Sequence, residues 1–504
     1  MDMMPAAPVR DRLPDGARLL FESVEERQLI DGALVASCDL GTLDVLDPST
    51  GGVLGRAPAA GEADVAAAVA AAVRAFPAWR DTAARARGKA VAEGARRIEA
   101  EIADLAPLLA LETGKAIRTE CRPELGSAVD ILSMYAGLAG ELKGETVPYD
   151  PGMLAYTLRE PLGVVAAILP WNVPLVLMML KIAPALVAGN TVVVKASEEA
   201  PFATIAAAKL LADALPPGVL NVICGTGADC GGPLVLHPRV AKVTFTGSQP
   251  VGEAIHAMAA TKLMPVSLEL GGKSPMIVFG DADLDRAVEG AFAGMRFTRM
   301  GQSCTASSRI YVHRSLYDRF LDALVLRLEA MVIGDPLDEA TDAGAVVNVR
   351  QKQKIEALLA EGASVDGVEL RTVGRLPQDS LLKDGLFVLP VLCLGATEDN
   401  VLMREEIFGP VTCLVPFDDD AAVLQAANDS DFGLAATLWT RDLKRGLTMA
   451  QRIEAGFIQV NRTLTIQPNL AYGGFKKSGL GKEASLAAML EHFTRVKTIV
   501  VDLG

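Results

Sequence analysis

Histidine, paired cysteines and aromatic residues are scarce in this chain, and each scarcity removes a class of function. Four scattered histidines and seven cysteines (38, 121, 224, 230, 304, 393 and 413), with no Cys-x-x-Cys pair, offer no zinc ligand set and, being odd in number, no closed disulfide framework. Reduced thiols in a cytoplasmic protein without a metal site are expected. Basic residues are outnumbered: 48 Lys+Arg against 62 Asp+Glu give a formal net charge of −14. Nucleic acid and anionic membrane surfaces are therefore not expected partners. The N-terminus, MDMMPAAPVRDRLPDGARLL, lacks the basic start and apolar core of an export signal. The longest apolar stretch, 164 to 195, is interrupted by Pro170, Asn172, Pro174, Lys181 and Pro184. It reads as a buried strand, turn and helix rather than a membrane span.

What is present is a large potential core: 50% of the 504 residues are hydrophobic and 22% charged. An Ala-rich region from Glu62 to about Arg118 has helical periodicity, and a helix is expected over 127–144. ETVPYD, a Pro-Gly turn at 151–152 and LAYTLRE predict an antiparallel hairpin. From Val164 short apolar runs alternate with helices: VVAAIL, TVVVK, LNVIC, KVTFT and PVSLEL, with helices over 174–188, 201–214, 228–236 and 249–260. A second series follows: MIVF at 276–279, a helix over 283–297, SRIYVH, helices over 315–330 and 350–362, and strands near 386–392, 411–417, 434–440 and 457–460. This pattern predicts an α/β fold with two tandem open parallel sheets. The expected domains are 1–138 with 160–270 (cofactor binding), 271–473 (catalytic), and an oligomerisation element from 139–159 and 474–504. A homodimer or homotetramer is the expected assembly, because the 145–158 hairpin and the closing RVKTIVVDL strand would otherwise leave an exposed edge.

Several motifs bear on chemistry. Gly225-Thr226-Gly227 resembles the start of a dinucleotide fingerprint with its later glycine misplaced. Gly247 and Ser248 lie between a strand and a helix, where helix-start amides can meet a pyrophosphate. Glu269-Leu270-Gly271-Gly272-Lys273-Ser274-Pro275 sets a carboxylate at a strand end, and Gly301-Gln302-Ser303-Cys304 sets a thiol in a small loop. A thiolate attacks carbonyls, and a nearby carboxylate activates the water that releases the adduct.

With Pro170-Trp171-Asn172, Lys195-Ala196-Ser197-Glu198, Phe245-Thr246-Gly247-Ser248, Glu405-Glu406-Ile407-Phe408-Gly409-Pro410 and the Gly473 to Gly481 segment, these motifs give the sequence its resemblance to the NAD(P)-dependent aldehyde dehydrogenase superfamily. The resemblance runs from about residue 30 to the C-terminus. It implies Cys304 as nucleophile, Glu269 as general base, and the Asn172 amide with the Cys304 N–H as oxyanion hole. Glu483 matches a second carboxylate that can relay protons. The implied cofactor residues are Pro170, Trp171, Lys195, Glu198, Gly225, Gly247, Ser248, Gly271, Glu406 and Phe408. A carboxylate at 198 favours a ribose 2′-OH over a 2′-phosphate, hence NAD, with NADP as the alternative.

Two departures concern the substrate. Glu269 and Cys304 are one residue further apart than the common family pattern, the extra residue falling within 296–300. The segment 461–466 and the positions Val173, Leu177 and Leu180 are expected to line the substrate tunnel with aliphatic side chains, so an aromatic cage for a quaternary ammonium aldehyde is not expected. An apolar aliphatic or aryl aldehyde is the leading substrate class. Arg296, Arg299 and Arg462, read as solvated charges, keep an acidic semialdehyde as an alternative. A coenzyme A-acylating enzyme is disfavoured by Glu269, a thiol hydrolase lacks a histidine near Cys304 in sequence, and a structural relic is disfavoured by the occupied reactive positions.

Overall fold

Strands rich in Val, Ile and Ala are covered by helices on both faces, so Val164–Ile168, Thr191–Ala196 and Leu220–Cys224 are buried along their whole length. The computed structural model describes residues 9–38, 41–463 and 466–504. Those three strands form the middle of an eight-stranded sheet in the order Ala33–Val35, Gln28–Ile30, Leu220–Cys224, Thr191–Ala196, Val164–Ile168, Val240–Thr246, Val266–Glu269, Gly479–Leu480. The four central pairings from Leu220–Cys224 to Val266–Glu269 run parallel, and the edges are antiparallel. The chain enters the parallel part of this sheet at Val164–Ile168, moves outward to Leu220–Cys224 and returns on the other side at Val240–Thr246. The carboxyl ends of Val164–Ile168 and Val240–Thr246 are thus a topological switch point, where doubly wound sheets open a crevice.

The second sheet has the order Glu369–Thr372, Val391–Leu394, Val411–Phe417, Arg309–His313, Pro275–Val278, Ala435–Trp439, Phe457–Val460, parallel except at its first pair. The fold class is the one expected, with local differences. The strand expected near 386–392 begins only at Val391. Pro390 has no N–H to place in a ladder, and the backbone at Leu386 is bonded to Pro48 and Val346 instead. The helix expected over 283–297 ends at Gly294, and Arg296 adopts a left-handed φ of 57°.

The expected 139–159 and 474–504 element is divided. Thr146–Val147, Met153–Pro161 and Thr494–Asp502 make a separate three-stranded antiparallel sheet. By contrast, Gly479–Leu480 closes the first sheet and the helix Leu486–Phe493 packs on Pro174–Ala188. The small sheet exposes Leu154, Leu158, Val496 and Val500. Among the described residues no helix is long and apolar enough to cross a membrane, and no cluster of His, Cys, Asp or Glu is arranged to hold a metal.

Candidate active site

Two cavities meet at Cys304. One, a cleft of about 860 Å³, lies over the switch point; the other, a tunnel of about 290 Å³, runs beside the helix Pro174–Ala188. Cys304, Asn172 and Leu177 line both.

The loop that presents the thiol is built by close packing. Gly301 has φ +63° and a Cβ there would stand 2.0 Å from the Gly409 carbonyl oxygen, so this turn admits only glycine. Gln302, 1% exposed, anchors the next step: its Oε1 accepts from Val347 N at 3.0 Å, and its carbonyl accepts from Asn172 Nδ2 at 3.1 Å. Asn172 is itself fixed at the start of a wholly buried helix, where the Lys115 ammonium donates to its carbonyl at 2.9 Å. Glu124 pairs with Lys115 and accepts from Leu175 N at 2.9 Å, placing a carboxylate at the helix N-terminus.

Burial pushes the Cys304 thiol up to about 11, against the pull of a hydrogen bond with Tyr472, whose hydroxyl lies 3.5 Å from Sγ. Glu269 lies on neither cavity wall. It is 4% exposed, its Oε2 has no hydrogen-bond partner among the described residues, and burial, then repulsion from Glu483, raises its carboxyl well above the ordinary range. Glu483 is held by Lys181 Nζ at 2.7 Å and by the Thr244 hydroxyl at 3.4 Å. The two carboxylates expected to cooperate therefore share one closed polar cluster.

Of the expected cofactor residues, Pro170, Trp171, Lys195 and Glu198 line the large cleft, as do Gly247, Ser248, Gly271, Glu406 and Phe408. Gly225 does not: it packs beneath Ala60 and Cys230, and Gly227 takes the wall position instead. The cleft suits a dinucleotide. Ser248 begins the helix Gln249–Ala260 without closing its end by a side-chain bond, which leaves an anion-compatible helix start. Lys195 Nζ holds Glu198 at 2.7 Å. Gly271 passes so near Glu406 that a Cβ would lie 2.4 Å from its carboxylate. Glu406 accepts from Gly272 N at 2.9 Å, and Phe408 stands edge-on to Trp171 with centroids 5.4 Å apart.

The tunnel differs from the aliphatic funnel expected. Val173, Val176 and Leu177 line it, but Leu180 is fully buried elsewhere, and Phe292, Phe457 and Tyr472 add three aromatic rings. Ile466 is on the wall; Leu464 and Thr465 lie outside the described residues. Asn461 and Thr463 are occupied with Thr440 and Gly290 rather than the tunnel. Arg462 is exposed as expected, whereas Arg296 and Arg299 line the tunnel, Arg299 paired with Glu120 through Nε at 2.7 Å. Sequence reasoning missed Lys115, Glu124, Glu120 and Tyr472. Lys181 did carry a signal, as a lone charge in an apolar helix that requires a buried partner.

The aldehyde dehydrogenase family model matches residues 34–499. The chain is 40% identical over 478 residues to betaine aldehyde dehydrogenase 1 of Rhizobium meliloti, covering 94% of this chain and 97% of that one. It is 40% identical over 497 residues to phenylacetaldehyde dehydrogenase of Pseudomonas fluorescens, covering 97% of each. The NAD+ complex of an aldehyde dehydrogenase from Bacillus cereus superposes with a TM-score of 0.94 at 34% identity, over 98% of this chain and 99% of that one. The chain belongs to the aldehyde dehydrogenase family and is an NAD(P)-dependent oxidoreductase acting on aldehydes.

Proposed function

We propose that the protein oxidises an aldehyde with an apolar body, aryl or medium-chain, to the carboxylic acid with NAD, through a covalent adduct on Cys304. The observation that carries this reading is the half-buried Cys304 at the junction of a dinucleotide-sized cleft and an apolar tunnel. Cys304 Sγ attacks the aldehyde carbon, and the Asn172 amide with the Cys304 N–H holds the oxygen that becomes negative. NAD, when bound by Lys195, Glu198, Ser248, Glu406 and Phe408, supplies the hydride acceptor. The acyl group then remains on Cys304 as a thioester, and Glu269 takes a proton from the water that hydrolyses it, passing it towards Glu483. To do so Glu269 must turn from its closed cluster towards Cys304.

The similarity to a phenylacetaldehyde dehydrogenase and the tunnel's Phe292, Phe457 and Tyr472 support an aryl or arylalkyl body. Betaine aldehyde, the substrate named for other relatives, carries a fixed positive charge, which the Arg296 guanidinium on the tunnel wall opposes, Arg299 beside it being paired with Glu120. Those same arginines favour a second reading, an acidic semialdehyde. NADH formation by the purified protein across chain lengths, aryl aldehydes, betaine aldehyde and semialdehydes separates these, with Cys304→Ala as control. Turnover that rises with apolar size supports the first reading. A preference for betaine aldehyde removes both, and activity only with coenzyme A removes Glu269 as the base.

A further inference from the structure

Tyr472 touches the sulfur, yet no motif assigned it a part. Its hydroxyl is 3.5 Å from Cys304 Sγ and has no other hydrogen-bond partner among the described residues. The residue is 2% exposed and is fixed by its surroundings. Its backbone bridges to Glu483 through hydrogen bonds of 3.0 and 2.7 Å, and its ring stands edge-on to Phe457 with centroids 5.7 Å apart. Burial, then the neighbouring Cys304 and Glu269, keeps the phenol protonated far into the alkaline range. A phenol that never ionises at working pH is a permanent donor, and its bond strengthens when the acceptor becomes an anion. Only the thiolate attacks, and burial works against the thiolate here.

We propose that Tyr472 is a catalytic residue: its O–H donates to the Cys304 sulfur, holding the thiolate charged and aimed at the junction of cleft and tunnel. This rests on Cys304 being the nucleophile. No bond is made or broken by the phenol; it keeps its proton throughout. A ring serving only as packing would do nothing that phenylalanine cannot do.

The test is Tyr472→Phe, in a Cys38→Ser background because Cys38 is exposed and would compete for the reagent. The rate of Cys304 alkylation by iodoacetamide is followed against pH, beside kcat/KM for the best aldehyde. The alkylation inflection is expected to rise by about one pH unit, and kcat/KM below it to fall about tenfold with KM little changed. Inflections and kcat/KM that coincide with those of the parent overturn the proposal. If the variant does not fold, a fluorinated tyrosine at 472, a stronger donor of the same shape, must lower the inflection; an unmoved one again overturns it. Turnover surviving in Cys304→Ala would instead refute the nucleophile assignment on which the proposal stands.

Discussion

Arg299→Met isolates the ion pair that fastens the catalytic loop to the helical layer. The Glu120 side chain is only 6% exposed and is bonded by both Arg299 and Thr298. Burial pushes its carboxyl up, but Arg299, Thr298 and Lys115 together outweigh this and hold it below the ordinary 4.5. Methionine keeps the bulk of the stem and leaves the carboxylate two ways out. Remaining charged with only Thr298 and Lys115 left to it costs up to about 3–5 kcal/mol. Taking up a proton costs about 1.4 kcal/mol for each pH unit above 4.5, or ~3.4 kcal/mol near pH 7. The cheaper route sets the loss, so the variant should be less stable by about 3 kcal/mol near pH 7 and by under about 1 kcal/mol near pH 5. In the parent, the lowered carboxyl gives stability that is present above 4.5 and lost as pH falls; in the variant, a raised carboxyl loses stability as pH rises. The gap between the two proteins therefore widens with pH. Urea unfolding followed by tryptophan fluorescence from about pH 5 to about pH 7 measures it, and a gap that does not change with pH refutes the reasoning. Adding Glu120→Gln should flatten the dependence.

Cys304→Ala should reduce turnover to background while dinucleotide binding, read by fluorescence titration, persists. Glu269→Gln should slow steady-state turnover by about 10²- to 10⁴-fold and leave a rapid first-turnover burst of NADH, because only thioester hydrolysis loses its base. As Glu269 is raised by burial and by Glu483, its basic form grows with pH, so the parent's hydrolysis step should speed up with pH and the Gln variant's should not. Glu198→Gln should move kcat/KM towards NADP relative to NAD by about tenfold, ~1.4 kcal/mol; an unchanged ratio would mean that Glu198 does not discriminate.

Features encoded within a few consecutive residues were legible in the sequence. Pro170-Trp171-Asn172 and Gly301 to Cys304 are loops whose geometry depends on their own glycine and proline content, and the short apolar runs around them announced a parallel sheet. Groups brought together from distant segments were not legible. Tyr472 meets Cys304 across 168 positions, and Lys115 meets Asn172 across 57. No periodicity marks such pairs; only burial does, since a charge or hydroxyl removed from water must find a partner wherever the fold supplies one. The aromatic tunnel was missed for the same reason: Phe292 comes from a helix and Phe457 from a strand, neither within the segment taken as the tunnel wall.

The short helical turn before the thiol explains why the tunnel carries charge. Arg296 and Met300 have φ of 57° and 51°, left-handed values flanking one short helical turn at Phe297–Arg299. Each costs about 1–2 kcal/mol in a residue with a Cβ. The turn persists because Met300 N bonds Phe297 O at 2.9 Å, Gly301 N bonds Arg296 O at 2.9 Å, and Phe297 and Met300 are buried. Strain held in place in this way delivers Arg296 and Arg299 to the tunnel wall beside Cys304. Arg296 and Arg299 share the tunnel wall with Glu120, which accepts from Arg299, and Glu124, which pairs with the buried Lys115 behind it. Arg296→Leu removes one guanidinium from that wall while keeping an apolar stem. It should lower kcat/KM for an aldehyde bearing a distal carboxylate by about tenfold relative to an uncharged aldehyde of equal length, since one buried charge contact is worth ~1.4 kcal/mol or more. Equal effects on both aldehydes would mean that the turn shapes the loop alone and that its charge does not reach the substrate.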